Sequence, residues 1–271
     1  MTFATLFPSL EPWIHALGVN PTALAIKPFI PHFLVAHLVS LFVLGGCAIV
    51  LNLRLIGVGL EEPSSWVARR LRPILDLAVS GVLATGVLIT AVEPEKIYVD
   101  APFVVKMTAL LAALVGTYGA ALPLAKADGG LSRRALGAFV VSLILWGLAL
   151  GIFANAAEAR AGMILVIFGG GLLVAFALVG RIRLVYLIGL TVILLMQQLV
   201  TLGFIDKYDV AVLDPVNTAF SGAEAAWVLA FLPVLWGARA AETRTLSRLV
   251  GCATLLMWVT VGAAGRWIAF G

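Results

Sequence analysis

The sequence predicts an all-α membrane protein, a polytopic bundle of about eight transmembrane helices with a short interfacial helix at its N-terminus. Three observations predict it. The 271-residue chain is 62% hydrophobic and only 12% charged, more apolar sequence than a water-soluble core requires. Its mean hydropathy is +1.09. Its apolar runs are continuous and reach the roughly 20 residues a spanning helix needs, whereas a β-barrel would show shorter alternating segments.

Residues 1–28 are mixed in composition and read as an outer-surface interfacial segment. Glu11 to Gly18 has Pro12 in its first turn and Gly18 at its stop, the signature of a short helix. Trp13 suits a membrane interface and His15 faces solvent. No basic stretch precedes an early apolar run, so no cleavable signal peptide is expected.

Eight apolar spans follow, at 29–56, 73–92, 102–125, 134–156, 161–180, 183–204, 222–238 and 247–269. The seventh is short and holds Pro233, which predicts a kink or a break. The first four spans form one half, 29–156, and the last four form the other, 157–271. Leu44-Gly45-Gly46 in span one is similar to Phe168-Gly169-Gly170 in span five. The surroundings of Trp146 in span four are similar to those of Trp258 in span eight. Such a pairing makes a 4+4 parallel repeat, although apolar sequence produces matches of this kind readily.

The basic residues orient the bundle. Twelve of the eighteen Lys and Arg fall in odd-numbered loops: Arg54, Arg69, Arg70, Arg72, Lys126, Arg133, Arg134, Arg181, Arg183, Arg239, Arg244 and Arg248. That excess places the odd loops in the cytoplasm and both termini outside, in the periplasm of a bacterial inner membrane. The net charge of +4 is thereby a topology signal facing anionic lipid, and no nucleic-acid partner is expected. The longest outer loop, 205–221, carries Asp206, Lys207, Asp209 and Asp214 and offers a surface to a periplasmic partner.

Several chemistries find no motif. There is no Gly-rich phosphate loop, no Cys pair at zinc spacing and no HExxH, and nothing pairs a nucleophile with a base. Enzyme catalysis is not supported. Cys47 and Cys252 both lie in apolar runs and read as small hydrophobes rather than a disulfide. Gly147 and Gly151 on span four have the spacing of close helix approach, read as packing inside the chain, with a homodimer face as the alternative. Arg54 ends span one and Asp76 begins span two, so an ion pair between them is the simplest structural account.

The polar residues inside the spans are the candidates for function, because they are costly there and usually face the bundle interior. His37 lies roughly 12 Å below the start of span one and Lys106 roughly 6 Å below the start of span three, both in the outer half. Met107, Asn155, Gln197, Gln198, Glu224 and Arg266 also fall in the outer half, and with His32 could line one cavity. Ordinary interhelical hydrogen bonding is the alternative. His32 is about 140° around the helix from His37, so the two cannot ligate from one face.

His37-Leu38, Gly45-Gly46 and Asn-Leu-Arg-Leu-Ile-Gly at 52–57 resemble a family of uncharacterised bacterial inner-membrane proteins. Arg69-Arg70, Thr85-Gly86, Phe103 to Lys106 and the closing Gly265-Arg266-Trp267-Ile268-Ala269-Phe270 continue the likeness. Asn52 stands where that family has Asp. The order His, Arg-Arg, Thr-Gly, Lys also resembles, more distantly, the copper resistance D (CopD-like) membrane family, mainly in the first half of the chain. That resemblance implies handling of copper or haem b, with His37 as the ligand. The competing expectations are a structural or anchoring subunit beside other membrane subunits of a respiratory or photosynthetic complex, and a haem-binding subunit passing electrons to quinone.

Overall fold

The computed structural model describes residues 2–58, 61–130, 132–156, 163–178, 180–204, 210–237 and 244–268. Arg239, residues 205–209 of the loop expected at 205–221 and the closing Ala269-Phe270 lie outside the described residues.

Among the described residues the secondary structure is helical, with no strand. Four short pieces, α1 (Phe3–Leu6), α2 (Glu11–Gly18), α3 (Pro21–Ile26) and α6 (Pro94–Tyr98), lie at one end. The long helices are α4 (Ile30–Ile56), α5 (Ser64–Val92), α7 (Ala101–Gly116), which runs through a π turn at Thr117–Ala121 into α8 (Leu122–Lys126), and α9 (Arg133–Asn155). After them come α10 (Met163–Ala177), α11 (Gly180–Phe204), α12 (Val210–Gly237) and α13 (Arg244–Ile268).

Several boundaries have a local cause. Asn20, Asp100 and Ser132 each accept a backbone N–H in the first turn of the helix they cap. Gly57 ends α4 at φ 88°, a left-handed conformation that glycine adopts without strain. The start of α5 is capped from a distance. Asp128 Oδ1 accepts from the Ser65 N–H at 2.9 Å and from the Ser64 hydroxyl at 3.0 Å. These bonds hold the exposed Asp128 carboxyl below the usual carboxylate range.

Six helical segments are long and apolar enough to cross a membrane: Pro21–Ile56, Ser64–Val92, Ala101–Lys126, Arg133–Asn155, Gly180–Gly203 and Leu246–Ile268. Met163–Phe176 is apolar but shorter. The remaining expected spans therefore fall on α10, with 15 residues, and on α12, whose 28 residues include Asp214, Glu224 and two prolines.

α13 organises the core. It packs between α4 and α7; α4 lies along α5, and α7 along α9. α10 joins α13 to α12, on which α11 packs. The buried positions of α4, Leu44, Cys47, Ala48, Leu51, Asn52, Leu55 and Ile56, recur at the helical period and form one stripe. Its opposite side, with Val35, Val39, Phe42 and Ile49, is exposed, as a lipid-facing surface would be. Two indoles bind the centre together. Trp258 Nε1 donates to Thr117 Oγ1 at 3.0 Å, and Trp146 Nε1 donates to Thr260 Oγ1 at 2.9 Å. No disulfide joins Cys47 to Cys252.

Two sequence expectations are corrected. Arg54 does not pair with Asp76: its Nε donates to the Glu62 carbonyl, within the turn that follows α4. Asp76 instead accepts from the Tyr118 hydroxyl at 2.8 Å and lies 3.6 Å from Arg72 on its own helix. A backbone acceptor close at hand satisfies Arg54, and an aromatic hydroxyl donor satisfies Asp76. Gly147 and Gly151 are not an internal packing site, because a Cβ at either would meet nothing within 4 Å.

Candidate functional site

The site is built where α4, α5, α7 and α13 converge. His37 precedes Leu44 by seven residues, two helical turns, and so shares the buried stripe of α4; it is 8% exposed. α5 comes close to it because Gly81 and Gly86 carry no side chain. A Cβ on Gly86 would lie 3.5 Å from His37 Cε1, and one on Gly81 would lie 2.5 Å from Ser40 Oγ. Between those glycines, Thr85 reaches across to the imidazole.

The hydrogen bonds have one consistent direction. Thr85 Oγ1 lies 2.6 Å from the Gly81 carbonyl, four residues back on α5, and donates its single proton there. It therefore accepts from His37 Nδ1–H, at 2.8 Å. That assignment leaves the lone pair of the neutral ring on Nε2. Lys106 of α7 faces this nitrogen, its Nζ 3.5 Å away, at the long limit of a hydrogen bond. α13 closes the site with Gly265, where a Cβ would stand 3.7 Å from Lys106 Cε and Nζ. No carboxylate pairs with Lys106 among the described residues.

The other expected cavity residues are placed elsewhere. His32 is exposed beside Phe29, with ring centroids 6.3 Å apart, which agrees with its angular separation from His37. Met107 is 38% exposed and turned away from the core. Asn155 is exposed and its Nδ2 donates to the Gly151 carbonyl of its own helix. Gln198 and Arg266 are exposed, Arg266 being the neighbour in sequence of the site-lining Gly265. Gln197 and Glu224 are buried, at 6% and 1%, but on α11 and α12. Those two helices pack on each other and reach the His37 helices through α10. The single shared cavity thus divides into a His37–Lys106 site and a separate polar seam.

Sequence reasoning named Thr85 only as half of a Thr-Gly pair and did not assign it a role. The available signal was Gly81-x-x-x-Thr85-Gly86, a hydroxyl flanked by the gaps that admit a neighbouring helix. Tyr118, the partner of Asp76, was also missed.

The fit to a resident metal ion can be judged from these atoms. Fixing Nδ1 and presenting Nε2 is what a ligating imidazole requires. An ammonium facing that nitrogen opposes a bare cation, and no group of three His, Cys, Asp or Glu able to hold a metal occurs among the described residues. Among the described residues, the groups at this site do not fit a metal ion held by this chain alone.

At the end of the bundle that holds α2 and α6, His15 is exposed, as expected, and bonds Glu95 Oε1 through Nδ1 at 2.7 Å. Tyr98 donates to the Phe7 carbonyl at 2.7 Å. These contacts tie α2 and the segment before it to α6.

Comparison with known proteins finds one family model. A family of unknown function (DUF6644) matches residues 32–161, a stretch that contains His37, Thr85 and Lys106. No curated protein and no solved structure matches the chain.

Proposed function

We propose that the chain is a multi-pass protein of a bacterial inner membrane that handles haem, or copper carried by its own ligands, as a cargo met from the outer side at His37. The proposal includes eight crossings, with α10 and α12 as the fifth and seventh, and both termini in the periplasm. The distribution of Lys and Arg supports that orientation.

The observation that carries the reading is the fixed direction of the His37 ring, with Nδ1–H on Thr85 and Nε2 turned to Lys106. A buried imidazole so held is a preset donor for one coordination position. Lys106 favours haem over a bare copper ion. Haem brings carboxylates that an ammonium attracts, whereas a free cation is repelled. The flexible lysine stem lets Nζ swing from Nε2 toward such a group.

Spectral titration of the full-length protein in nanodiscs with haemin tests this. The wild type is expected to shift the Soret band, His37→Gln to abolish the shift, and Lys106→Met to weaken it severalfold. Equal shifts in the wild type and His37→Gln would overturn it.

The second reading is an anchoring subunit. The exposed small-residue spacing of Gly147 and Gly151, beside exposed Ile144 and Leu148, favours it by offering another helix a close approach. An anchor would give no haemin-dependent signal and would co-purify with other membrane chains.

A further inference from the structure

The seam between α11 and α12 contains a buried acid that the His37 site does not use. Glu224 is 1% exposed, and neither carboxylate oxygen receives a hydrogen bond from any described residue. Its neighbours have spent their donors elsewhere. The Tyr186 hydroxyl donates to the Gly171 carbonyl at 2.9 Å, and Trp227 Nε1 donates to the Tyr186 carbonyl at 3.1 Å. Toward the end of α11, Gln197 Nε2 donates to Asn217 Oδ1 at 3.2 Å. Thr201, one turn further along, has a buried hydroxyl with no partner.

These groups form a file. Asn217 faces α11 through its bond to Gln197, and Glu224 follows Asn217 by seven residues, so it lies on the same face about 10 Å deeper. Gln197 and Thr201 are four apart and share the opposing face of α11. Polar side chains therefore line the loop side of the α11–α12 contact as far as Asn217 and recur one level deeper at Glu224, while Leu190, Trp227 and Phe231 close the inner end.

An ionised carboxylate without donors in such surroundings is costly, and a bound proton removes that cost. Among the described residues no basic side chain is placed to do so. α10 carries no titratable residue. On α11, Arg181 and Arg183 are exposed at the far end, leaving Tyr186 as the one titratable group within the contact. On α12 the other carboxyl, Asp214, is ten residues away, about 15 Å along the helix. We propose that Glu224 is a proton-binding site of the membrane interior, loaded from the outer side through the Thr201–Gln197–Asn217 file and separate from the His37 site.

Dicyclohexylcarbodiimide, a lipid-soluble reagent that modifies protonated carboxyls, tests this on the full-length protein in proteoliposomes, with mass spectrometry of the peptide containing residue 224. Labelling is expected in acidic buffer and should fall roughly tenfold in alkaline buffer as the proton leaves. Glu224→Gln should abolish it. Gln197→Leu and Thr201→Val should leave labelling in acid intact but slow its response to a pH jump. His37→Gln should change none of these results, so failure here is distinct from failure of the haem reading. Labelling that ignores pH, or its absence in the wild type, would overturn the proposal. So would protection by Na+ at constant pH, which would assign Glu224 to a metal cation.

Discussion

His37 Nδ1 lies 2.8 Å from Thr85 Oγ1, and this contact sets which ring nitrogen faces Lys106. Thr85→Val keeps the shape and removes the acceptor. The substitution is expected to cost about 1 kcal/mol, the net worth of a typical internal hydrogen bond. Nitrogen-15 NMR of the imidazole should change from one tautomer to a mixture. A single Nδ1–H tautomer in Thr85→Val would show that the ring is oriented by something else.

Gly251 is where α13 crosses α4. A Cβ there would lie 2.8 Å from the Asn52 carbonyl oxygen and 3.1 Å from Leu55 Cβ. Backbone cannot yield as a flexible side chain does, so Gly251→Ala should destabilise the bundle by about 1–3 kcal/mol. Gly147→Ala, which meets nothing, should be neutral. Thermal unfolding in detergent, followed by tryptophan fluorescence, compares them; equal midpoints would contradict the close approach.

Asp76 is held by Tyr118, and Arg54 by the Glu62 carbonyl. A double-mutant cycle should therefore find coupling between Asp76 and Tyr118 of about 1 kcal/mol, reduced from a fully buried value because Asp76 is half exposed. The cycle for Arg54 and Asp76 should be additive. Coupling in the second cycle would restore the ion pair expected from the sequence.

The Asp128 cap predicts a pH dependence. Its carboxyl is held below the ordinary range by the Ser65 N–H and the Ser64 hydroxyl. A depressed folded value means that the contribution is fully present above the unfolded pKa and is lost as pH falls through the folded one. Asp128→Asn keeps an acceptor oxygen but has no charge to lose. Its unfolding midpoint should fall less steeply than that of the wild type on acidification. Parallel curves would remove Asp128 from the acid response.

Composition and period determined the class of this molecule. Continuous apolar runs bounded by Arg can only bury their backbone polar groups as helices, and the short helix Glu11–Gly18 was legible to the residue from its Pro and Gly. The angular position of His37 against His32 also followed from 100° per residue, and burial of the first and exposure of the second agree with it. What the sequence could not decide was which polar groups meet. Depth in the bilayer is a one-dimensional quantity, so residues at equal depth looked like one cavity. The lateral arrangement separates them: α13 brings Gly265 to Lys106, while α10 stands between that cluster and the α11–α12 seam. The partners of Arg54 and Asp76 were settled at a range of a few ångströms, by a turn carbonyl and a tyrosine hydroxyl. Helical periodicity predicts the face a residue occupies, but only tertiary packing determines the face it meets.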